Sequence, residues 1–384
     1  MEKCVYLQSK GIGLSIYSKL IASIILIIGG GFKFLETFFS FIDNRNSYFI
    51  ILLLLLSIIL LTTISNIKFR TYCLFGLLLS FFCAVIGDMG IPYSIMLAIS
   101  LYIVGFNNGI KKLLISSCIC SLICVIASLL FGFNSQYNGV RLDGTVRYTL
   151  GFSSANTFPS LFLNVIALII LFKKKMNIFT WVIIFITSYI IFLLTNSRAS
   201  FFSLIVVFLF SFIIKHFCNY KKSYLFFLSI FPLFTFLSFA LGTFWNIQSL
   251  NDSLSGRPYY YSLYIENNTI AWISGRFLYY PEDWYLDNLF LTLIYRVGVP
   301  MFVLSLIFAT TGIVASKKVL DKKTFYKTMI CYLLFMFFSI EGAMLTTNYN
   351  ICYVIFAFAI LKYKFNYFSV THSLIISLKN KLVF

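Results

Sequence analysis

Acidic residues are scarce in this chain: 12 of them face 30 basic residues across 384 positions, and charged residues of both signs make up only 11%. Histidine occurs twice, at His216 and His372. Both fall where the pattern of basic residues marks the inner side of a membrane, so chemistry at the outer face has no histidine base. No carboxylate cluster has metal-ligand spacing, and neither a glycine-rich phosphate loop nor a dinucleotide fingerprint occurs. The expectation is therefore no cofactor and no metal. Of the nine cysteines, none falls in an expected outer loop, so no disulfide is expected. Cys118, Cys120 and Cys124 lack metal spacing and read as small residues for close helix contact.

Apolar residues, by contrast, are abundant: 60% of positions are hydrophobic and mean hydropathy is +0.93, far outside the soluble range. Runs long enough to cross ~30 Å of hydrocarbon recur from end to end. They cover about 16–35, 48–65, 71–87, 91–107, 113–133, 154–172, 178–195, 199–217, 224–244, 288–314, 327–345 and 349–363. The expected fold is all-α: a polytopic membrane protein of about 12 transmembrane helices, one integral membrane domain over 1–384. No internal repeat and no separate soluble domain stands out. Residues 1–35 show no well-placed small-residue cleavage site, so the first span is expected to be retained.

The basic residues then sort by side. Twenty-two of 30 fall in the expected inner segments, among them Lys19, Lys111, Lys112, Lys173–Lys175, Lys317, Lys318, Lys322, Lys323 and Lys327. Both termini are expected in the cytoplasm, with the chain in the cytoplasmic membrane. The net charge of +18 is an orientation device that favours anionic headgroups, and no nucleic acid is implied. Seven of the eight arginines fall outside: Arg45, Arg141, Arg147, Arg198, Arg257, Arg276 and Arg296. Lysine inside needs only topology to explain it. Arginine outside points to recognition of a phosphorylated group, because guanidinium stays charged and its planar fork makes two charge-assisted bonds to one oxyanion.

Two outer segments are longer than connectors. The first, 134–153, is polar and glycine-rich; the second, the large extracytoplasmic loop 245–287, is dense in tyrosine and tryptophan. Its aromatics either form an interfacial belt or stack on sugar rings, and the two roles can coexist. Residues 258–273 have the pattern of an amphipathic helix on the membrane surface, opened by Pro258 after Ser255-Gly256.

The arginines sit beside glycines and tight turns. Arg147 precedes Leu150-Gly151-Phe152 and Asn156; Asn196-Ser197-Arg198 is a turn too short to leave the membrane edge; Ser255-Gly256-Arg257 opens the long loop; Ser274-Gly275-Arg276 follows. Asp287-Asn288 stands where the next helix begins, and Asn288, Thr292 and Arg296, spaced by four, share one helical face. A charge at that depth costs ~2.5–3.5 kcal/mol unless it finds a partner or a cavity. Arg296 either pairs with Glu341 to hold helices together or lines a polar cavity with Asn288. Asp287 either complements the helix dipole or acts as a base.

Taken in order, Arg147 with Leu150-Gly151-Phe152 and Asn156, Asn196-Ser197-Arg198, Ser255-Gly256-Arg257, and Asp287-Asn288 followed by Gly298 resemble the O-antigen and capsular polysaccharide polymerase (Wzy-type) family, and more distantly the O-antigen ligases. The resemblance covers about residues 141–300. It implies a metal-independent membrane-embedded glycosyltransferase of the GT-C-like class, acting on oligosaccharide repeat units carried on undecaprenyl pyrophosphate. It also implies a chain-length regulator and a flippase as partners. Arg198 and Arg257 are the first choices for holding pyrophosphate, Arg147 and Arg276 the second, and Asp287 is the base. The chain departs from the ligases, which carry a histidine near the end of the long loop where this chain has Asp287-Asn288. It departs from the family's asparagine-rich pattern in reading Ser153-Ser154-Ala155-Asn156. A ligase-type transferase is one alternative. A flippase or transporter of the same lipid-linked unit is another, from a different class; paired halves would favour it.

Overall fold

The computed structural model describes residues 15–39, 47–86, 90–132, 139–140, 146–152, 155–217, 222–254, 256–273, 288–339 and 350–365. Helices cover nearly all of them. The first half holds α1 (Ile16–Phe39), α2 (Ser47–Thr62), α3 (Ile67–Ile86), α4 (Gly90–Val104) and α5 (Phe106–Phe131). A two-stranded hairpin follows, β1 (Gly139–Val140) and β2 (Val146–Arg147), antiparallel with Gly139 opposite Arg147. Then come α6 (Thr157–Phe172), α7 (Ile178–Thr195), α8 (Arg198–Phe217), α9 (Ser223–Leu228), α10 (Ile230–Thr243), α11 (Gln248–Ser253) and α12 (Arg257–Asn267). The last part comprises α13 (Leu289–Leu291), a wider π-helical turn (Thr292–Val297), α14 (Val299–Val319), α15 (Lys322–Ser339) and α16 (351–365).

Among the described residues, four segments are long and apolar enough to cross a membrane: Phe106–Phe131, Ile178–Thr195, Ser223–Thr243 and Val299–Val319. Shorter apolar helices cover Ile16–Gly31, Leu52–Thr62, Ile91–Val104, Thr157–Phe172 and Ser200–His216. This is an all-α architecture with the helix lengths and composition of a membrane protein. The third segment is split in two by Pro232, which has no N–H to give Leu228, so α9 and α10 meet at Ser229.

Burial separates inner helices from outer ones. Helices α4, α6, α15 and α16 are buried almost all round, which an all-apolar helix requires. Helices α3, α5, α7 and α8 instead turn large apolar side chains outward, among them Phe75, Phe82, Leu130, Phe179, Leu193 and Phe212. A continuous apolar exterior of this kind suits lipid and not water.

Lipid tails are as apolar as leucine, so helices in a bilayer associate by close contact of small residues and by interhelical hydrogen bonds. Gly29-Gly30-Gly31 of α1 provide both. A Cβ at Gly30 would lie 2.5 Å from Ser116 Oγ and 2.8 Å from the Leu113 carbonyl; at Gly31 it would lie 2.6 Å from Cys120 Sγ. The carbonyls exposed by this approach are used: Ser117 Oγ donates to Gly30 O at 2.7 Å, and Tyr93 OH donates to Gly29 O at 2.6 Å. Cys120 thus serves as the small contact residue its sequence context suggests.

On the lysine-bearing side, charges are held by helix ends. The ammonium of Lys327, buried near the start of α15, donates to the carbonyls of Leu171 and Lys173, which close the C-terminus of α6. Lys317 donates to Ser223 Oγ at 2.9 Å and sits 4.9 Å from the Phe325 ring centre. Asp321 caps α15, accepting from the N–H groups of Lys323 and Thr324 and, at 2.7 Å, from the Thr324 hydroxyl. Partial burial pushes its carboxyl pKa up, but those three donors outweigh burial and hold it below the ordinary value. A depressed folded-state pKa stabilises above the unfolded value, and that contribution is lost as pH falls through the folded one. Asp321→Asn should therefore lower the melting temperature at neutral pH, and the gap to the parent protein should close below the ordinary carboxylate range, as thermal unfolding in detergent across pH would show.

Candidate functional site

Two motifs that stand far apart in the sequence form one cluster. The hairpin delivers Arg147 to the end of α7, where its Nε donates to Thr195 O at 3.0 Å and its Nη2 to Asn156 Oδ1 at 2.7 Å. The next residue continues the attachment, with Tyr148 N donating to Leu194 O at 2.9 Å. Between Arg147 and Asn156 the chain reverses through two left-handed residues, Leu150 (φ 52°) and Gly151 (φ 85°). Glycine takes this conformation freely, whereas leucine pays ~1–2 kcal/mol. Burial offsets that cost: Leu150 and Phe152 enter a small core with Phe34, Cys124, Phe158 and Leu161, the Phe152 and Phe158 rings 5.5 Å apart. Leu-Gly-Phe is therefore a buried hook that fixes where Arg147 and Asn156 meet.

The other half of the cluster is the turn between α7 and α8. Asn196 (φ 49°) closes α7 in the left-handed conformation that asparagine tolerates, and its N–H donates to Phe192 O at 2.7 Å. Ser197 is buried, its N–H donating to Thr195 Oγ1 at 3.3 Å. Arg198 is the first residue of α8 and is half-exposed. The positive end of the helix and the guanidinium act in the same direction there, favouring an anion. Of the two arginines, Arg147 bonds the protein's own carbonyl and amide oxygens, and Arg198 is half-exposed at the first position of α8.

A second group is built on α10, α12 and the π-helical turn. Gly256 (φ 78°) opens α12, Asn251 Oδ1 accepts from Tyr259 N at 3.1 Å, and half-buried Arg257 reaches Leu254 O at 3.4 Å. Pro258 lies in the first turn as expected, but α12 ends at Asn267, short of 273. Its buried side, Pro258, Tyr261, Ser262 and Tyr264, packs on α10, where a Cβ at Gly242 would come within 2.7 Å of Ile265 Cδ1. The buried face thus covers protein.

Asn288 is fully buried. Its Oδ1 accepts from Phe290 N and Leu291 N at 3.0 and 3.1 Å, and its Nδ2 donates to Ser238 Oγ at 3.0 Å. It is a helix cap tied to α10, not a lining residue. The expected stripe does not continue: Thr292 is buried, but Arg296 is exposed. Asn288 is the extended cap and is not itself wound into the helix, and Gly298 N bonds back five residues to Leu293 O at 2.8 Å in a π-helical turn. Gly298 (φ 115°, ψ 154°) then breaks the helix. Ala271 fills the break, its N–H donating to Ile294 O at 3.2 Å and its carbonyl accepting from Val299 N at 2.8 Å. Arg141, Arg276, Asp287 and Glu341 lie outside the described residues.

Two buried asparagines were not singled out from the sequence. Asn164 Oδ1 accepts from Ile351 N at 3.0 Å, and Asn350 Oδ1 accepts from Cys352 N at 2.9 Å, so both serve the first turn of α16. The available signal was Asn164 itself, alone in an apolar run. Among the described residues no group of three His, Cys, Asp or Glu side chains could hold a metal ion. Compared with known proteins, the chain matches no family model, no curated protein and no solved structure.

Two outcomes follow from this geometry. Arg147→Lys keeps the charge but loses the fork, and a charge-assisted bond of this type is worth about 1.5–3 kcal/mol. In a cycle with Asn156→Ala, the double variant should melt no lower than the worse single variant; additive losses would dissolve the cluster. Gly298→Ala meets Ile273 O at 3.2 Å and Ala271 O at 3.3 Å in a conformation nearly confined to glycine, whereas Gly132→Ala (φ 62°) meets nothing within 4 Å. Thermal unfolding should show the first substitution to be clearly the more damaging.

Proposed function

We propose that this protein is a membrane glycosyltransferase that polymerises oligosaccharide repeat units carried on undecaprenyl pyrophosphate into a surface polysaccharide, at the outer face of the cytoplasmic membrane. The full reading has about twelve membrane crossings of the GT-C-like class, with both termini inside. What supports it most is the cluster in which Arg147 locks the Leu-Gly-Phe hook onto the α7–α8 turn and leaves Arg198 at the first position of α8. The first two of the motifs that carry the resemblance are bonded to one another, and an arginine stands at the positive end of a helix beside them.

In the reaction, an acceptor sugar hydroxyl attacks the anomeric carbon of the donor. The new glycosidic bond forms as the bond from that carbon to the phosphate oxygen breaks, and the electron pair leaves with the pyrophosphate. Arg198 and Arg257, with Arg276, stabilise the departing charge. Asp287 takes the proton of the attacking hydroxyl, and the aromatics of the long loop orient sugar rings. Arg147 acts as a positioning residue for the turn that carries Arg198. Asn288 holds the helix start next to Asp287.

The test is purified protein in detergent given synthetic undecaprenyl-pyrophosphate-linked repeat units. A ladder of longer lipid-linked products is expected; no ladder across several repeat structures would overturn the polymerase assignment. Arg198→Lys and Arg257→Lys should each lower the rate by about 10²-fold or more, the usual loss for one donor to a developing oxyanion. The amount of protein in the membrane should not change. Unaltered ladders from either variant would remove that arginine from the site.

A further inference from the structure

We infer that the groove between α1 and α5 is a binding site for the phosphate headgroup of an anionic phospholipid. The proposal does not depend on the transferase assignment. A cavity of about 490 Å³ opens there, lined by Lys19 and Ser23 of α1 and by Asn108, Lys111, Lys112 and Ile115 of α5. That volume lies within the range of small-molecule sites. None of its lining residues is acidic, so three ammonium groups converge on it without a carboxylate among them.

The helical spacing makes this one continuous surface. Lys19 and Ser23 are four apart; Asn108, Lys111, Lys112 and Ile115 follow the 3, 4, 7 rule, so each set lies on a single face. Farther along α1, Gly30 and Gly31 bring its backbone against Leu113, Ser116 and Cys120 of α5, which holds the two walls of the groove together. The start of α5 adds to the positive field. Its first turn begins after Gly105 (φ 91°) with no side-chain cap, and the first amides of a 26-residue helix face the same end as Asn108, Lys111 and Lys112.

Continuing down the same faces, the next turns present exposed Ile27, Ile115 and Ile119. A basic cradle above an apolar lane matches a molecule with an anionic head and acyl chains. The cradle lies on the side that carries most of the lysines, where anionic lipids and basic juxtamembrane residues meet at about 1 kcal/mol per charge, or roughly fivefold each. A water-soluble phosphate ester shares the headgroup chemistry but has nothing to place on the isoleucines.

Native mass spectrometry of the full-length protein, titrated with phosphatidylglycerol or phosphatidylcholine, tests this directly. Phosphatidylglycerol should be retained and phosphatidylcholine should not. Lys19→Gln, Lys111→Gln and Lys112→Gln together should weaken retention by roughly tenfold or more, while the triple lysine-to-arginine variant keeps it. A control that removes the same charge from the exposed Lys173, Lys174 and Lys175 should have little effect. Lys112→Glu alone, a milder change to the fold, should weaken retention in the same direction. Equal loss in the control would overturn the proposal in favour of diffuse charge attraction. Displacement by sn-glycerol 1-phosphate at the same concentration would overturn it in favour of a soluble phosphate ester.

Discussion

A helix that ends in apolar surroundings leaves N–H and C=O groups that no water can reach, and this constraint governs the irregular parts of the chain. At several of these points, among the described residues, a named side chain or a strand of backbone meets it. Asn288 caps α13, Asn350 and Asn164 together serve α16, and the Lys327 ammonium closes the end of α6. At the Gly298 break no side chain is used; Ala271 supplies both a donor and an acceptor from its backbone. The regular helices tolerate such breaks because partners, some of them distant in sequence, satisfy them.

The same constraint explains why arginine and glycine occur together at the turns between helices. A tight turn between helices needs left-handed residues, and these turns carry Gly151, Asn196 and Gly256. It also leaves carbonyls pointing outward, as at Thr195 and Leu254, and a guanidinium can bind such a carbonyl while still offering donors elsewhere. Arginines at these turns therefore serve two ends: they stabilise the turn, and they gather positive charge beside it. Arg147 lies at the structural end of that range, and Arg198 stands at a helix N-terminus.

Much of the helical layout was legible, because apolar runs bounded by polar turns leave little choice. The run at 178–195 is α7 to the residue, 199–217 differs from α8 by one, and Pro258 marks the start of α12 as a first-turn proline should. The pairing of Arg147 with Asn156 was not legible, since it depends on a hairpin of two-residue strands and on a leucine held at positive φ. Nor was the face of Arg296. Asn288 caps the helix in an extended conformation, and the π-helical turn that follows is tied down by Ala271, more than twenty positions earlier. Asn164 escaped notice because its partner, the first amide of α16, lies 187 residues away. Local chemistry reads well from sequence; contacts made across the bundle do not.

The central claim is that arginine-bearing turns and lysine-bearing turns lie on opposite faces of the membrane, and sidedness tests it most directly. Single cysteines placed in a cysteine-free chain at Tyr148 and Trp272, near the arginines, and at Lys174 and Lys318, among the lysines, would be exposed to a membrane-impermeant maleimide in intact cells. All four positions carry side chains with access to solvent or lipid headgroups. The account predicts labelling at the first pair from outside and at the second pair only after the membrane is opened. Labelling of both pairs from the same side would contradict it.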